Sequence, residues 1–204
     1  MDLFNQEIKR NILPFDGEAE HHGLILNRQE CNFYYDNFFN TIPWQHDEAV
    51  VFGKHYVTKR KVAWFGDENY KYTYSGVTKR AHIWIPELLE LKKKVEEISE
   101  TTYNSCLLNL YHSGEEGMAW HSDGEKTLLD NGTIASLTLG AERKFSFKHK
   151  ETKQRIDIVL ENGSLLLMKG TTQKNWLHRL PPTKKINSPR INLTFRTIKI
   201  NNDQ

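Results

Sequence analysis

Three residues of this chain could hold one cation. His121 and Asp123 stand two apart in Trp120-His121-Ser122-Asp123-Gly124-Glu125, and His178 follows in Asn175-Trp176-Leu177-His178-Arg179-Leu180, 55 residues after Asp123. In an extended segment residues two apart point to the same side, so an imidazole nitrogen of His121 and a carboxylate oxygen of Asp123 can converge. His-x-Asp alone is a common chance pair; a second histidine makes it a metal hypothesis. Two histidines and a carboxylate leave three positions open on an octahedral iron, room for a bidentate oxo-acid and O2. Zinc hydrolases use the same donors, so the triad by itself does not choose the metal.

What could bind an oxo-acid is the segment Arg190-Ile191-Asn192-Leu193-Thr194-Phe195-Arg196. Read as a strand, it puts Arg190, Asn192, Thr194 and Arg196 on one face and Ile191, Leu193 and Phe195 on the other. Arginines on the inner side of a buried strand are costly unless they meet anions. Their planar forks suit carboxylates, and 2-oxoglutarate offers two. In Ser105-Cys106-Leu107-Leu108-Asn109-Leu110-Tyr111, Asn109 and Tyr111 share a face, an amide and a phenol able to hydrogen-bond the same anion.

The elements that must position these groups fall into two halves. A short apolar strand is expected over Gly23 to Leu26, then an aromatic-rich helix from about Arg28 to Phe39, stopped near Pro43. An extended segment, Ala49 to Phe52, precedes a Gly-punctuated stretch from Gly53 to Gly76. Pro86 opens a second helix in which Leu88, Leu89, Leu91, Val95 and Ile98 recur at helical spacing. After about Thr102, short strands follow: Ser105 to Tyr111, Ile134 to Leu139, Arg143 to Lys148, Arg155 to Leu160, Ser164 to Met168 and Arg190 to Ile200. Helices first and strands afterwards predict an α+β chain, a sandwich or jelly roll backed by helices.

The 204 residues suit a single domain, with 38% hydrophobic and 26% charged residues and a formal net charge of +2. Basic residues cluster at Lys59 to Lys61, Lys79 and Arg80, Lys92 to Lys94, Lys148 and Lys150, and Lys184 and Lys185, which makes a polyanion partner plausible. Cys31 and Cys106 lie far apart without CxxC spacing, arguing against a disulfide framework or zinc finger. Neither a secretory leader nor a membrane-spanning apolar run is evident, so the expectation is a chain that is not secreted, cytoplasmic in a bacterium or nuclear in a eukaryote. No feature demands an oligomer, and a monomer without membrane association is expected.

Taken in order, Asn109-x-Tyr111, His121-x-Asp123, His178 and Arg190-x-Asn192-x-Thr194-Phe195-Arg196 resemble the AlkB family of 2-oxoglutarate-dependent nucleic-acid dealkylases. The resemblance implies Fe(II) held by His121, Asp123 and His178, and 2-oxoglutarate held by Asn109, Tyr111, Arg190, Asn192, Thr194 and Arg196, with O2 as second co-substrate. It further implies a double-stranded β-helix with flanking helices, a catalytic core over about 102–200 and an N-terminal nucleotide-recognition lid over about 45–80. Val51-Phe52-Gly53-Lys54, Phe65-Gly66-Asp67, Tyr72-Thr73-Tyr74-Ser75-Gly76 and Ile134-Ala135-Ser136 look like the eukaryotic-type homologues that repair duplex DNA. On that likeness Phe52, Gly53, Phe65, Ser75 and Glu125 would contact the substrate. Phe52 would fill the gap left by a flipped base, Phe65 would line the base pocket, and Glu125 would approach the base edge. Phe65 stands where the subgroup tends to have Tyr, and Gly124 where an acidic residue is common. The implied activity is oxidative removal of N-alkyl groups from alkylated DNA, single- or double-stranded, at lesions such as 1-methyladenine or 3-methylcytosine; RNA demethylation and protein hydroxylation are the alternatives.

Overall fold

Asn27 starts the first helix. Its side-chain oxygen accepts from the backbone N–H of Gln29 (2.9 Å) and Glu30 (3.0 Å), and Glu30 reaches back to the N–H of Asn27 (2.7 Å). This reciprocal bonding satisfies donors that every helix start leaves unpaired. The computed structural model describes residues 11–51, 54–74 and 77–199. In chain order it runs β1 (Glu18–Leu24), α1 (Arg28–Thr41), β2 (Gln45–Val51), β3 (Lys54–Gly66), β4 (Lys71–Tyr74), β5 (Val77–Arg80), β6 (His82–Ile83) and α2 (Pro86–Ser99). Next come β7 (Ser105–Tyr111), β8 (Met118–His121), β9 (Ile134–Gly140), β10 (Arg143–His149), β11 (Arg155–Leu160), β12 (Ser164–Lys169), α3 (Thr172–Asn175), β13 (Trp176–Leu180) and β14 (Arg190–Arg196). Among the described residues, no helix is long and apolar enough to cross a membrane.

The strands make a jelly roll. A major sheet has the order β1-β12-β9-β14-β7-β3-β2, with β6 beside β3, and a minor sheet has the order β11-β10-β13-β8. Among the described residues β4 and β5 pair only with each other. In the major sheet β14 lies between β7 and β9: Asn192 faces Asn109 on one side and Thr138 on the other, and Arg190 faces Tyr111. Residues paired across strands project to the same side. One face of the sheet therefore presents Asn109, Tyr111, Ser136, Thr138, Arg190, Asn192, Thr194 and Arg196 toward the minor sheet.

The other face presents Leu108, Leu137, Ile191, Leu193 and Phe195, all fully buried against α1 and α2. Each such side chain contributes roughly 1.5–3 kcal/mol on leaving water. A second cluster, including Phe147, Leu160, Leu166 and Trp176, fills the space between the sheets. The polar residues of the site thus line one end of a wall whose back is a hydrophobic core.

Several sequence expectations are revised. The first strand spans Glu18–Leu24 rather than Gly23 to Leu26; its register shifts between His21 and Leu24, where Gly23 adopts φ 64. The Gly-punctuated stretch, to which the sequence assigned no element, begins as a 13-residue strand, β3. Leu89, placed in the apolar row of α2, is 45% exposed. β8 and β13 were not expected as strands, although both carry candidate metal ligands. In β13, Trp176, His178 and Leu180 are the buried positions, so an inward histidine occupies a place that a hydrophobicity pattern scores as polar.

Candidate functional site

His121 and His178 sit opposite one another on the paired strands β8 and β13, their ring centroids 4.2 Å apart. Asp123 follows two residues after β8 ends, and its Oδ1 lies 3.8 Å from His121 Nε2. Ligand-capable atoms of His121, Asp123 and His178 all fall within 4.8 Å of one another, so this trio could close on one ion.

The tautomer of His121 is set locally. Its Nδ1 is 2.8 Å from the carbonyl oxygen of Ala119, which can only accept, so Nδ1 carries a hydrogen and Nε2 is the nitrogen left to face an ion. His178 is 4% exposed and stacks on Phe145. Burial pushes its imidazole down to about 3, against the opposing pull of the Asp123 charge. It stands neutral, as a metal ligand must.

Burial tends to raise the Asp123 carboxyl, but the Arg196 guanidinium beside it, which also donates to it, outweighs that and holds the group below the ordinary carboxylate range. Arg196 Nη2 donates to Asp123 Oδ2 at 2.8 Å, and its Nη1 lies 3.8 Å from Glu125 Oε1. A guanidinium losing its hydration tends to lose its proton; here the Asp123 and Glu125 charges more than compensate, and Arg196 is held above its usual value.

Arg190 has no such partner. It is 2% exposed, its Nη2 donates to Thr138 Oγ1 (2.8 Å) and Asn192 Oδ1 (2.6 Å), and its Nε is buried without a partner. Among the described residues no carboxylate pairs with it, and burial pushes the guanidinium down to about 10. Ser136 Oγ also donates to Asn192 Oδ1, and Asn192 Nδ2 donates to Thr194 Oγ1. Asn109 Oδ1 is buried and unpartnered, and the Arg190 guanidinium lies 5.7 Å from the Tyr111 ring centroid. A buried, unpaired cation within a polar network is the signature of a missing anion.

The substrate-side expectations divide. Glu125 does lie at the site: it borders a cavity of about 340 Å³ together with Asp123, Gln173 and Arg196, and its Oε2 is buried without a partner. Phe52, Gly53 and Ser75 lie outside the described residues. Phe65 is corrected. It pairs with Cys106, which pairs with Phe195, so all three point into the helix-packed core, and Phe65 is 2% exposed. Its neighbour Trp64 pairs with Leu107, which pairs with Thr194, and so faces the site side of the sheet. There Trp64 stacks on Tyr70 and its Nε1 donates to Ser105 Oγ. Counting strand parity from Asn109 would have selected Trp64, had the pairing of β3 with β7 been known. Gln173, which accepts from the backbone N–H of Asp123 at 2.9 Å, was also missed, and no residue-type signal marks it.

Comparison with known proteins agrees with this geometry. "Alpha-ketoglutarate-dependent dioxygenase alkB homolog 3" of Mus musculus is 35% identical over 184 residues, covering 85% of this chain and 64% of the relative. "DNA oxidative demethylase ALKBH2" is 40% identical over 156 residues in Homo sapiens, covering 72% of this chain and 60% of the relative. The chain therefore spans less than two thirds of these relatives' length. A solved structure titled "The structure of OsALKBH1" superposes with a TM-score of 0.60 at 15% identity, over 91% of this chain and 98% of that one, a likeness of fold. The family described as "2OG-Fe(II) oxygenase superfamily" matches residues 22–196. The chain belongs to the 2OG-Fe(II) oxygenase superfamily, whose name carries a metal of the kind that the triad's donors could hold.

Proposed function

We propose that this chain is an Fe(II)- and 2-oxoglutarate-dependent dioxygenase that removes N-alkyl groups, of the 1-methyladenine and 3-methylcytosine type, from DNA. The observation that carries the dioxygenase reading is Arg190, a buried guanidinium without a counter-ion on the same strand face as Arg196, which bonds Asp123 of a His, Asp, His cluster. The relatives named above, a dioxygenase and a DNA oxidative demethylase, supply the substrate class.

His121, Asp123 and His178 would hold the iron, and Asn109, Tyr111, Arg190, Asn192, Thr194 and Arg196 the co-substrate. Bound iron and 2-oxoglutarate supply the oxidation, in which one atom of O2 enters succinate as CO2 leaves and the other reaches the N-alkyl carbon, which then departs as formaldehyde. Everything else is the work of the chain. Arg190 would fix the distal carboxylate, and Thr138 and Asn192 hold its fork in place. Arg196 would hold Asp123 Oδ2, leaving Oδ1 directed to the ion. Glu125 would accept a hydrogen bond from the edge of an inserted base, and Trp64 would form an aromatic wall. A base must leave its stack to reach such a pocket, at a cost of a few kcal/mol.

The lid over about 45–80, above a core over about 102–200 within one domain, would carry the flipping elements, with Gly53 and Ser75 at the substrate and Phe52 filling the vacated gap. We expect a monomer acting on single- or double-stranded DNA, in the cytoplasm of a bacterium or the nucleus of a eukaryote.

Matched single- and double-stranded oligonucleotides bearing 1-methyladenine test the proposal. Formaldehyde and succinate release should each require Fe(II) and 2-oxoglutarate. No turnover on DNA, with turnover on a methylated RNA or a peptide, would transfer the activity to an RNA demethylase or protein hydroxylase. Phe52→Ala should weaken action on duplex more than on single strands.

A further inference from the structure

We infer that Gln173 is a positioning residue that holds the two halves of the triad at ligating distance and thereby sets the affinity of the site for its metal. The inference rests on the triad being the metal site. β8 ends at His121, and residues 122–125, which include Asp123, have no regular secondary structure. No sheet ladder therefore fixes the main chain of Asp123. What fixes it is one bond across 50 residues: the Asp123 N–H donates to Gln173 Oε1 at 2.9 Å.

Gln173 lies in α3, whose last residue, Asn175, leads directly into β13 and His178. One amide therefore joins the loop that bears Asp123 to the turn that launches His178. A second tie runs beside it. Lys150 Nζ donates to the carbonyl oxygen of Gln173 at 2.9 Å and to Ser122 Oγ at 3.3 Å. The turn is itself anchored, since Thr172 Oγ1 lies 2.7 Å from the carbonyl oxygen of Lys169 and 2.9 Å from that of Glu18, sharing its one hydrogen between them, and accepts from the N–H of Glu18.

The amide is suited to this task because it accepts without adding charge beside a carboxylate. Gln173 and Asp123 both border the 340 Å³ cavity, so water can take over the freed N–H when the amide is removed. What is lost is then orientation rather than hydrogen bonding. Partners that orient metal ligands typically account for about 10–100-fold in metal affinity.

The test is anaerobic calorimetric titration of Co(II) into the full chain. Gln173→Met keeps the length and removes the acceptor; it should bind Co(II) about 10–100-fold more weakly. Gln173→Glu keeps an acceptor oxygen and adds a negative charge near the ion, so it should bind Co(II) at least as tightly as the unaltered chain. Unchanged affinity in Gln173→Met overturns the inference, as does equal weakening in both variants. Should Gln173→Met fail to fold, Lys150→Met severs the parallel tie, and unchanged affinity there overturns the inference instead. His178→Ala serves as reference. Undiminished Co(II) binding in that variant removes the triad reading and the inference with it, whereas abolished binding there beside normal binding in Gln173→Met removes only the inference.

Discussion

Asp123 divides its two oxygens between a cation of the protein and a neighbouring imidazole: Oδ2 accepts from Arg196 Nη2 at 2.8 Å, and Oδ1 faces His121 Nε2 at 3.8 Å. Both partners of the ion pair are desolvated, with side-chain exposures of 5% and 14%. Removing one partner of a buried pair strands the other, so Arg196→Met should cost the metal-free protein about 3–5 kcal/mol. An ion bound at Oδ1 would supply the missing positive charge. Urea denaturation with and without Co(II) should therefore show the metal recovering more stability in Arg196→Met than in the unaltered chain. Equal recovery would mean that Arg196 and the metal do not share this carboxylate.

Arg190 makes the opposite prediction. A buried cation with no counter-ion weakens the metal-free fold, so Arg190→Met should leave its stability unchanged or raise it, despite the lost bonds to Thr138 and Asn192. Binding of 2-oxoglutarate, followed by calorimetry with Co(II) present, should fall by roughly 100-fold, the loss of a charge-assisted pair of about 2–3 kcal/mol. A large stability loss with 2-oxoglutarate affinity intact would make Arg190 structural.

Much of this site was legible because ligand chemistry restricts residue type. Few side chains can hold iron, and His121, Asp123 and His178 are among them by kind alone. The alternation of Arg190, Asn192, Thr194 and Arg196 was equally plain, since Ile191, Leu193 and Phe195 mark the opposite face. Phase along β3 was not. Period two says that Trp64 and Phe65 point to opposite sides, and only the pairing of Phe65 with Cys106 says which side is which. Gln173 was invisible for another reason: its contact is to a backbone N–H, which every residue but proline has.

His178 carries a pH dependence whose sign follows from its burial. Its imidazole is pushed from 6.5 down to about 3 in the fold, so below pH 6.5 the unfolded chain takes up a proton that the folded chain refuses. Stability from this group is complete above the unfolded value and is lost as pH falls from there toward 3, by about 1.4 kcal/mol per pH unit at most. Urea denaturation of the metal-free protein between pH 7 and 5 should show this decline, and His178→Gln, neutral throughout, should flatten it. An unaltered slope in the variant would assign the acid sensitivity to other groups.

The register of β3 is the most direct test of the site's architecture, because adjacent residues should fail in different ways. Phe65 is 2% exposed in the core between the major sheet and the helices. Phe65→Ala should lower stability by about 3–5 kcal/mol, while kcat/KM per folded molecule stays near normal. Trp64 is half-buried on the site face, with Tyr70 against its ring. Trp64→Ala should cost less stability and instead reduce kcat/KM on a 1-methyladenine oligonucleotide by about 1–3 kcal/mol, the value of one base stacked on an aromatic ring. Urea midpoints and kcat/KM measured on both variants separate the two losses. Were Phe65→Ala to damage catalysis while Trp64→Ala only loosened the fold, the strand would be shifted by one residue, and the wall of the base pocket would return to Phe65.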